Sequence, residues 1–185
     1  MKKQLFVSAT ALALMMPYAA MADVNYNFVE LDYIMADDDD VDADAIRLKG
    51  SLEFGGGVYG LLEYGTQDND IDTVSLGVGY GYTVADGTDI YGALSVEHIE
   101  PDVGDGETGF GVRAGVRSLI IPELELRGGI RHVDNDLFMD DDPTLLELGV
   151  QYLPIPQVGI LAEYWADVGS DDGHDSILVG ARYNF

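Results

Sequence analysis

The chain contains no cysteine, so no disulfide can staple its fold in an oxidising compartment. Basic residues are scarce: nine lysines and arginines stand against 34 aspartates and glutamates. A surface of that sign repels a phosphate backbone, which excludes nucleic acid as a partner. Past residue 22 no stretch approaches the length of an apolar membrane helix. If the chain crosses a membrane, it must cross as strands. Proline is sparse too. Beyond the N-terminus only Pro101, Pro122, Pro143, Pro154 and Pro156 occur, and all five are expected between strands, where a missing N–H costs nothing.

What is present begins with MKKQLFVSATALALMMPYAAMA. Lys2 and Lys3 open it, a short apolar run follows, and Ala20-Met21-Ala22 is an A-x-A cleavage pattern. These are the parts of a secretory signal peptide, expected over residues 1–22, with residues 23–185 forming one domain. The alternative, an uncleaved membrane helix, is disfavoured by the short run and by Pro17, which interrupts it. The first 22 residues hold two of the nine basic side chains and none of the acids, so the rest of the chain carries a net charge near −27.

From residue 23 onward hydrophobicity alternates with period two. Ten strands are expected, over 24–36, 43–54, 58–66, 71–83, 89–99, 108–119, 123–133, 144–153, 157–167 and 175–185; an eight-strand reading is the alternative. Four connections are compact: 55–57, 84–88, 120–122 and 154–156. The other five, 37–43, 68–70, 100–107, 134–142 and 167–175, are mostly longer and strongly acidic. Short turns on one rim, longer loops on the other and an even strand count predict an all-β fold, a transmembrane antiparallel up-and-down barrel.

The charges obey the same alternation. Arg47 and Lys49, Arg113 and Arg117, Arg127 and Arg131, and Arg182 all fall on the polar face of a strand, and none falls in a loop. Glu30, Asp32, Glu53, Glu63, Glu97, Glu125, Glu147, Glu163 and Asp167 share that face. A soluble β-sandwich alternates as well. Its surface cations would scatter into loops, however, and its core would place large rings in mid-strand. Here Phe54, Tyr80, Tyr82, Tyr152, Tyr183 and Phe185 gather near the short-turn rim, and Tyr33, Tyr64, Phe110 and Tyr164 near the other. Two aromatic girdles bracketing an aliphatic band match two water–lipid interfaces. The polar face then lines a lumen. Glu30, Asp32, Arg47, Lys49, Glu97, Arg113, Arg117, Glu125, Arg127, Arg131, Glu147, Glu163 and Arg182 are expected to form an ion-pair network across it. The fourth strand offers only Ser75, Gly77, Gly79 and Gly81 to the interior, a gap that arginines from other strands are expected to cross.

The last segment, ILVGARYNF, is expected to pair with the first strand and abolish the sheet edge. Its aromatics Tyr183 and Phe185 are similar to the C-terminal signal read by the barrel assembly machinery. The segments YNFVELDY (26–33), VDADAIRLKGSLEF (41–54) and VGARYNF (179–185) resemble a family of small Gram-negative outer-membrane barrels, a porin-like superfamily of the OmpA and OmpX kind. Some of its members were once described as quorum-sensing or virulence factors. The resemblance implies the cell outer membrane, reached by export through the periplasm, with outer-membrane lipid and lipopolysaccharide as partners. It implies a role in the envelope and no catalytic residues.

Three function classes remain. A structural or surface-interaction role, with a filled lumen and acidic loops, is the preferred expectation, because eight strands enclose little more than their own side chains and open porins use sixteen or more. A narrow passive pore for ions or small solutes is the alternative. An outer-membrane hydrolase ranks last. His174-Asp175 and His132 near Asp134 are the pairs such chemistry would use, and His98 has lipid-face parity without a serine clearly beside it. No cofactor is expected. The acidic runs at 37–40 and 140–142 could draw Ca²⁺ or Mg²⁺, which take oxygen ligands, although neither has EF-hand spacing.

Overall fold

The computed structural model describes residues 23–37, 44–68, 71–101, 104–134, 143–169 and 175–185. The expected signal peptide and much of the five acidic connections, including 38–40, 140–142 and His174, lie outside the described residues. Ten strands form: β1 Phe28–Asp37, β2 Ala45–Gly55, β3 Val58–Gln67, β4 Asp72–Ala85, β5 Thr88–Glu100, β6 Glu107–Ile121, β7 Leu124–Asp134, β8 Thr144–Ile155, β9 Val158–Asp167 and β10 Asp175–Asn184. They close into one barrel in which every strand pairs with its sequence neighbours and β10 returns to β1. The closing register runs antiparallel from Phe28 opposite Asn184 to Asp37 opposite Asp175. The final segment is therefore the closing strand, and the last amide, Phe185 N–H, donates to the Asn27 carbonyl at 3.0 Å.

Alternation decides which side chains face out. Leu31, Leu62, Leu76, Leu94, Val112, Leu148 and Ile160 are all exposed. So are the girdle rings Phe54, Tyr80, Tyr82, Phe110 and Tyr152. A continuous apolar outer wall of this extent is stable only against lipid. Inside, the same strands bury Glu30, Asp32, Arg47, Glu63, Glu97, Arg117, Glu125 and Arg182.

The short hairpins follow turn chemistry. At the first, Gly56 and Gly57 have φ of 64° and 83°, the left-handed pair that a two-residue hairpin turn needs. The next two tight turns centre on Asp86-Gly87 and Pro122-Glu123, and the fourth on Pro156-Gln157. The first two turns fall within the expected 55–57 and 84–88, and the last two sit one or two residues beyond the centres of the expected 120–122 and 154–156. Pro154 departs further from expectation: it lies within β8, not between strands. The β8–β9 register shifts between Tyr152 and Ile155, so Pro154 occupies an irregularity where a missing donor breaks no ladder bond.

At the opposite rim all five connections are bracketed by one device. A Tyr or His on the outer face of the incoming strand bonds an Asp or Thr within one residue of the start of the outgoing one. The pairs are Tyr33 with Asp44, Tyr64 with Asp72 at 3.1 Å, His98 with Thr108 at 2.9 Å, His132 with Thr144 at 2.9 Å and Tyr164 with Asp175. Each clamp ties together the two strand ends that flank a connection rich in acidic residues.

The first strand begins at Phe28, not at 24. Asn27 Oδ1 accepts the Glu53 amide at 2.8 Å, where a further strand residue would otherwise continue the pairing. Asn25 Oδ1 accepts the Asn27 amide at 2.7 Å. The chain before Asn27 bends into the barrel mouth. Val24 and Tyr26 are buried there and cluster with Tyr59, Leu61 and Tyr91.

Candidate functional site: the lumen

The interior is built on three carboxylates, two of which, Glu30 and Glu63, are each shared by three cations. Glu30, on β1, is 1% exposed. It accepts Arg182 Nε at 2.6 Å and lies 2.5 Å from Arg182 Nη2, 3.4 Å from Arg47 Nη2 and 3.6 Å from Arg127 Nη1. Asp32, two residues on and facing the same way, accepts Arg47 Nε and Nη2 at 2.9 and 2.8 Å. Glu63, on β3, gathers Arg113 Nη1 at 3.0 Å, Lys49 Nζ at 3.4 Å and Arg47 Nη1 at 3.7 Å. Charges this far from water demand such pairing, because an isolated one would be prohibitively costly.

Four further pairs complete the lattice. Arg117 grips Glu125 with two bonds, at 2.8 and 2.9 Å. Arg131 donates to Glu97 at 3.0 Å, which Ser95 also reaches at 2.6 Å. Arg113 Nε lies 3.5 Å from Glu147, and Arg127 pairs with Glu163. The β6–β7 register sets Arg113 directly opposite Arg131 and Arg117 opposite Arg127. These like-charged pairs are tolerated because the arginines turn to different carboxylates. Arg113 reaches clear across the barrel to β3, and Arg131 reaches β5. The thirteen residues singled out from the sequence all carry inner-face positions, and each makes at least one of these contacts. Of the three other carboxylates named on that face, Glu63 joins the lattice as above, while Glu53 Oε1 accepts the Gly57 amide at 3.3 Å and Asp167 Oδ1 accepts the Gly169 amide at 2.8 Å. These last two serve hairpin ends.

Sequence reasoning missed the aromatic half of the lumen. Arg182 lies 3.8 Å over the Phe28 ring, Arg47 4.9 Å over Trp165, and Arg117 5.0 Å over Tyr26, cation–π contacts in a desolvated setting. The bare strip on β4 is not crossed by arginines as expected. The rings of Tyr26 and Tyr59 stack there, 4.5 Å apart. A Cβ at Gly79 would lie 2.3 Å from Tyr59, and one at Gly81 would lie 2.5 Å from Tyr26. The glycines are the niche into which the two tyrosines fit. The signal was parity: Tyr59 and Trp165 alternate in step with Glu63 and Glu163.

Toward the long-loop side, Leu161, Trp165 and the wholly buried Leu178 form a second apolar cluster, with Ile34 and Leu145 packed on it. Cavities remain between these groups. One of about 50 Å³ lies among the arginines and Tyr26 and Tyr59. Another, of about 230 Å³, is lined by Ile34, Gln67, Thr73, Arg131 and Trp165. Arg47 borders both.

Among the described residues no group of three or more His, Asp or Glu is placed to hold a metal ion. His98 and His132 are spent on the threonine clamps of the outer rim. Phe185 lies with Val29, Leu52 and Phe54 along an apolar cleft on the outer wall.

No protein-family model and no curated protein matches the chain. Solved structures do. The KdgM porin superimposes with a TM-score of 0.57 at 15% identity, over 85% of this chain and 99% of that one. The NanC porin gives 0.57 at 13% identity, over 85% of this chain and 100% of that one. A KdgM porin in complex with disordered oligogalacturonate gives 0.54 at 13% identity, over 85% and 99%. At such identities the likeness is one of fold. The protein is a transmembrane β-barrel with a porin-like fold.

Proposed function

We propose that this is an outer-membrane barrel with a structural or surface-interaction role, exported through the periplasm. Its lumen is closed by the ion-pair lattice, and it presents acidic loops outward. The observation that carries the reading is the way Arg47, Glu30, Asp32 and Glu63 interlock across mid-barrel, with Tyr26 and Tyr59 seated behind them at the short-turn mouth. A solute must break several buried charge pairs to pass. Outer-membrane lipid and lipopolysaccharide are the immediate partners, and the barrel assembly machinery is the partner during biogenesis.

A second reading, a narrow passive pore, draws on the two cavities that share Arg47 as a wall and on the porin-like fold. Liposome swelling separates the two. Vesicles carrying the refolded protein should swell no faster in small sugars or amino acids than empty vesicles do. Rapid swelling would promote the pore.

A further inference from the structure

We propose that the central chamber of the lumen binds one small monovalent inorganic anion of chloride size. The chamber measures about 50 Å³, and six of the seven lumen cations face it against two carboxylates, Glu147 and Glu163. That volume admits a water-sized occupant, not a sugar.

Hydrogen-bond accounting points to the kind of occupant. Arg127 Nη2, Arg182 Nη1 and Ser51 Oγ are buried without a hydrogen-bond partner, and all three residues line the chamber. Arg127 Nη1 and Arg182 Nη2 both approach the same oxygen, Glu30 Oε2, at 3.6 and 2.5 Å. The two guanidinium groups are therefore neighbours, each anchored on one side with an unused N–H on the other. Stacking on Phe28 further fixes Arg182. A guanidinium donates and never accepts. Of the purely accepting atoms in the chamber wall, Glu147 Oε1 is the one left without a partner. A water there could donate to Glu147 Oε1 or Ser51 Oγ, but six cations facing two carboxylates favour an occupant that itself carries negative charge.

Charge selects a monovalent ion. Across the whole lattice seven cations pair with seven carboxylates: Glu30, Asp32, Glu63, Glu97, Glu125, Glu147 and Glu163. The positive excess is local, because Glu30, Asp32, Glu63 and Glu125 stand outside the chamber wall that their arginines line. Such a site tolerates one negative charge better than two. It does not depend on whether the lumen conducts.

The test is a crystal of the unmutated refolded barrel grown in sodium bromide, read by anomalous scattering. One bromide peak within hydrogen-bond distance of Arg127 Nη2 and Arg182 Nη1 is expected. Thermal midpoints at equal ionic strength should be higher in sodium chloride and bromide than in sodium gluconate, whose anion is too large for the chamber. Arg127→Gln should abolish that difference. A chamber without anomalous signal, or equal midpoints for the unmutated barrel in all three salts, would overturn the proposal; both readings stand even if Arg127→Gln fails to fold.

Discussion

Arg117→Ala probes the closed lumen at its best-defined joint. Arg117 binds Glu125 through Nε and Nη2 at 2.8 and 2.9 Å, donates through Nη1 to the Asn25 carbonyl at 3.0 Å and lies over the Tyr26 ring. Truncation strips both bonds from Glu125, which is 3% exposed. Removing one partner of a dry buried pair costs about 3–5 kcal/mol. The bond to Asn25 adds about 1 kcal/mol more. Together these would be a large share of a typical domain's ~5–15 kcal/mol. Urea unfolding of the refolded barrel, read by Tyr and Trp fluorescence, measures the loss. The double variant Arg117→Ala/Glu125→Ala should recover much of it, since no orphaned charge remains. Releasing Asn25 and Tyr26 also loosens the N-terminal segment in the mouth, so the single variant should show ion current absent from the parent. A loss below about 1 kcal/mol would mean that water already screens Glu125. The lumen would then be wet, and the argument from dry pairing would fail.

Other perturbations test other parts. Phe185→Asp places a carboxylate at the membrane edge, where an acid on the lipid face costs only about 1 kcal/mol or less; the purified variant should refold normally yet fail to accumulate in cells, and normal cellular levels would show that the terminal ring is not an assembly signal. Gly81→Ala drives a methyl group to 2.5 Å from Tyr26 and should cost about 1–3 kcal/mol through overpacking while exposing residues 23–27 to proteolysis; unchanged protease resistance would refute the niche. If the acidic connections hold Ca²⁺, millimolar calcium should raise the thermal midpoint beyond an equal ionic strength of sodium chloride, by mass action on the folded state, whereas identical shifts would mean screening alone.

The ten strands were legible because each must keep one face in lipid and one in the lumen, and a period of two records that directly. The same parity placed every arginine inward. Which carboxylate each arginine meets was not legible. Arg113 and Glu63 lie on β6 and β3 and meet across the barrel, a distance set by strand tilt and stagger, which alternation does not encode. Glu63 was therefore read as one polar-face acid among many, although it joins three cations. The start of β1 was misread because Val24 and Tyr26 continue the alternation, while Asn27 bonds the Glu53 amide and ends the pairing. The glycines of β4 looked like empty wall because the rings that fill it come from another strand and from the N-terminal segment. Pro154 was placed outside a strand because a bulge leaves no local mark beyond the proline itself.

Single-channel recording of the unmutated, refolded protein in a planar bilayer bears most directly on the closed lumen. With Glu30, Asp32 and Glu63 locked to their arginines and Tyr26 seated in the mouth, the bilayer should show no steady conductance above background. A large, stable current would contradict that closure and make the narrow pore the better description of this barrel.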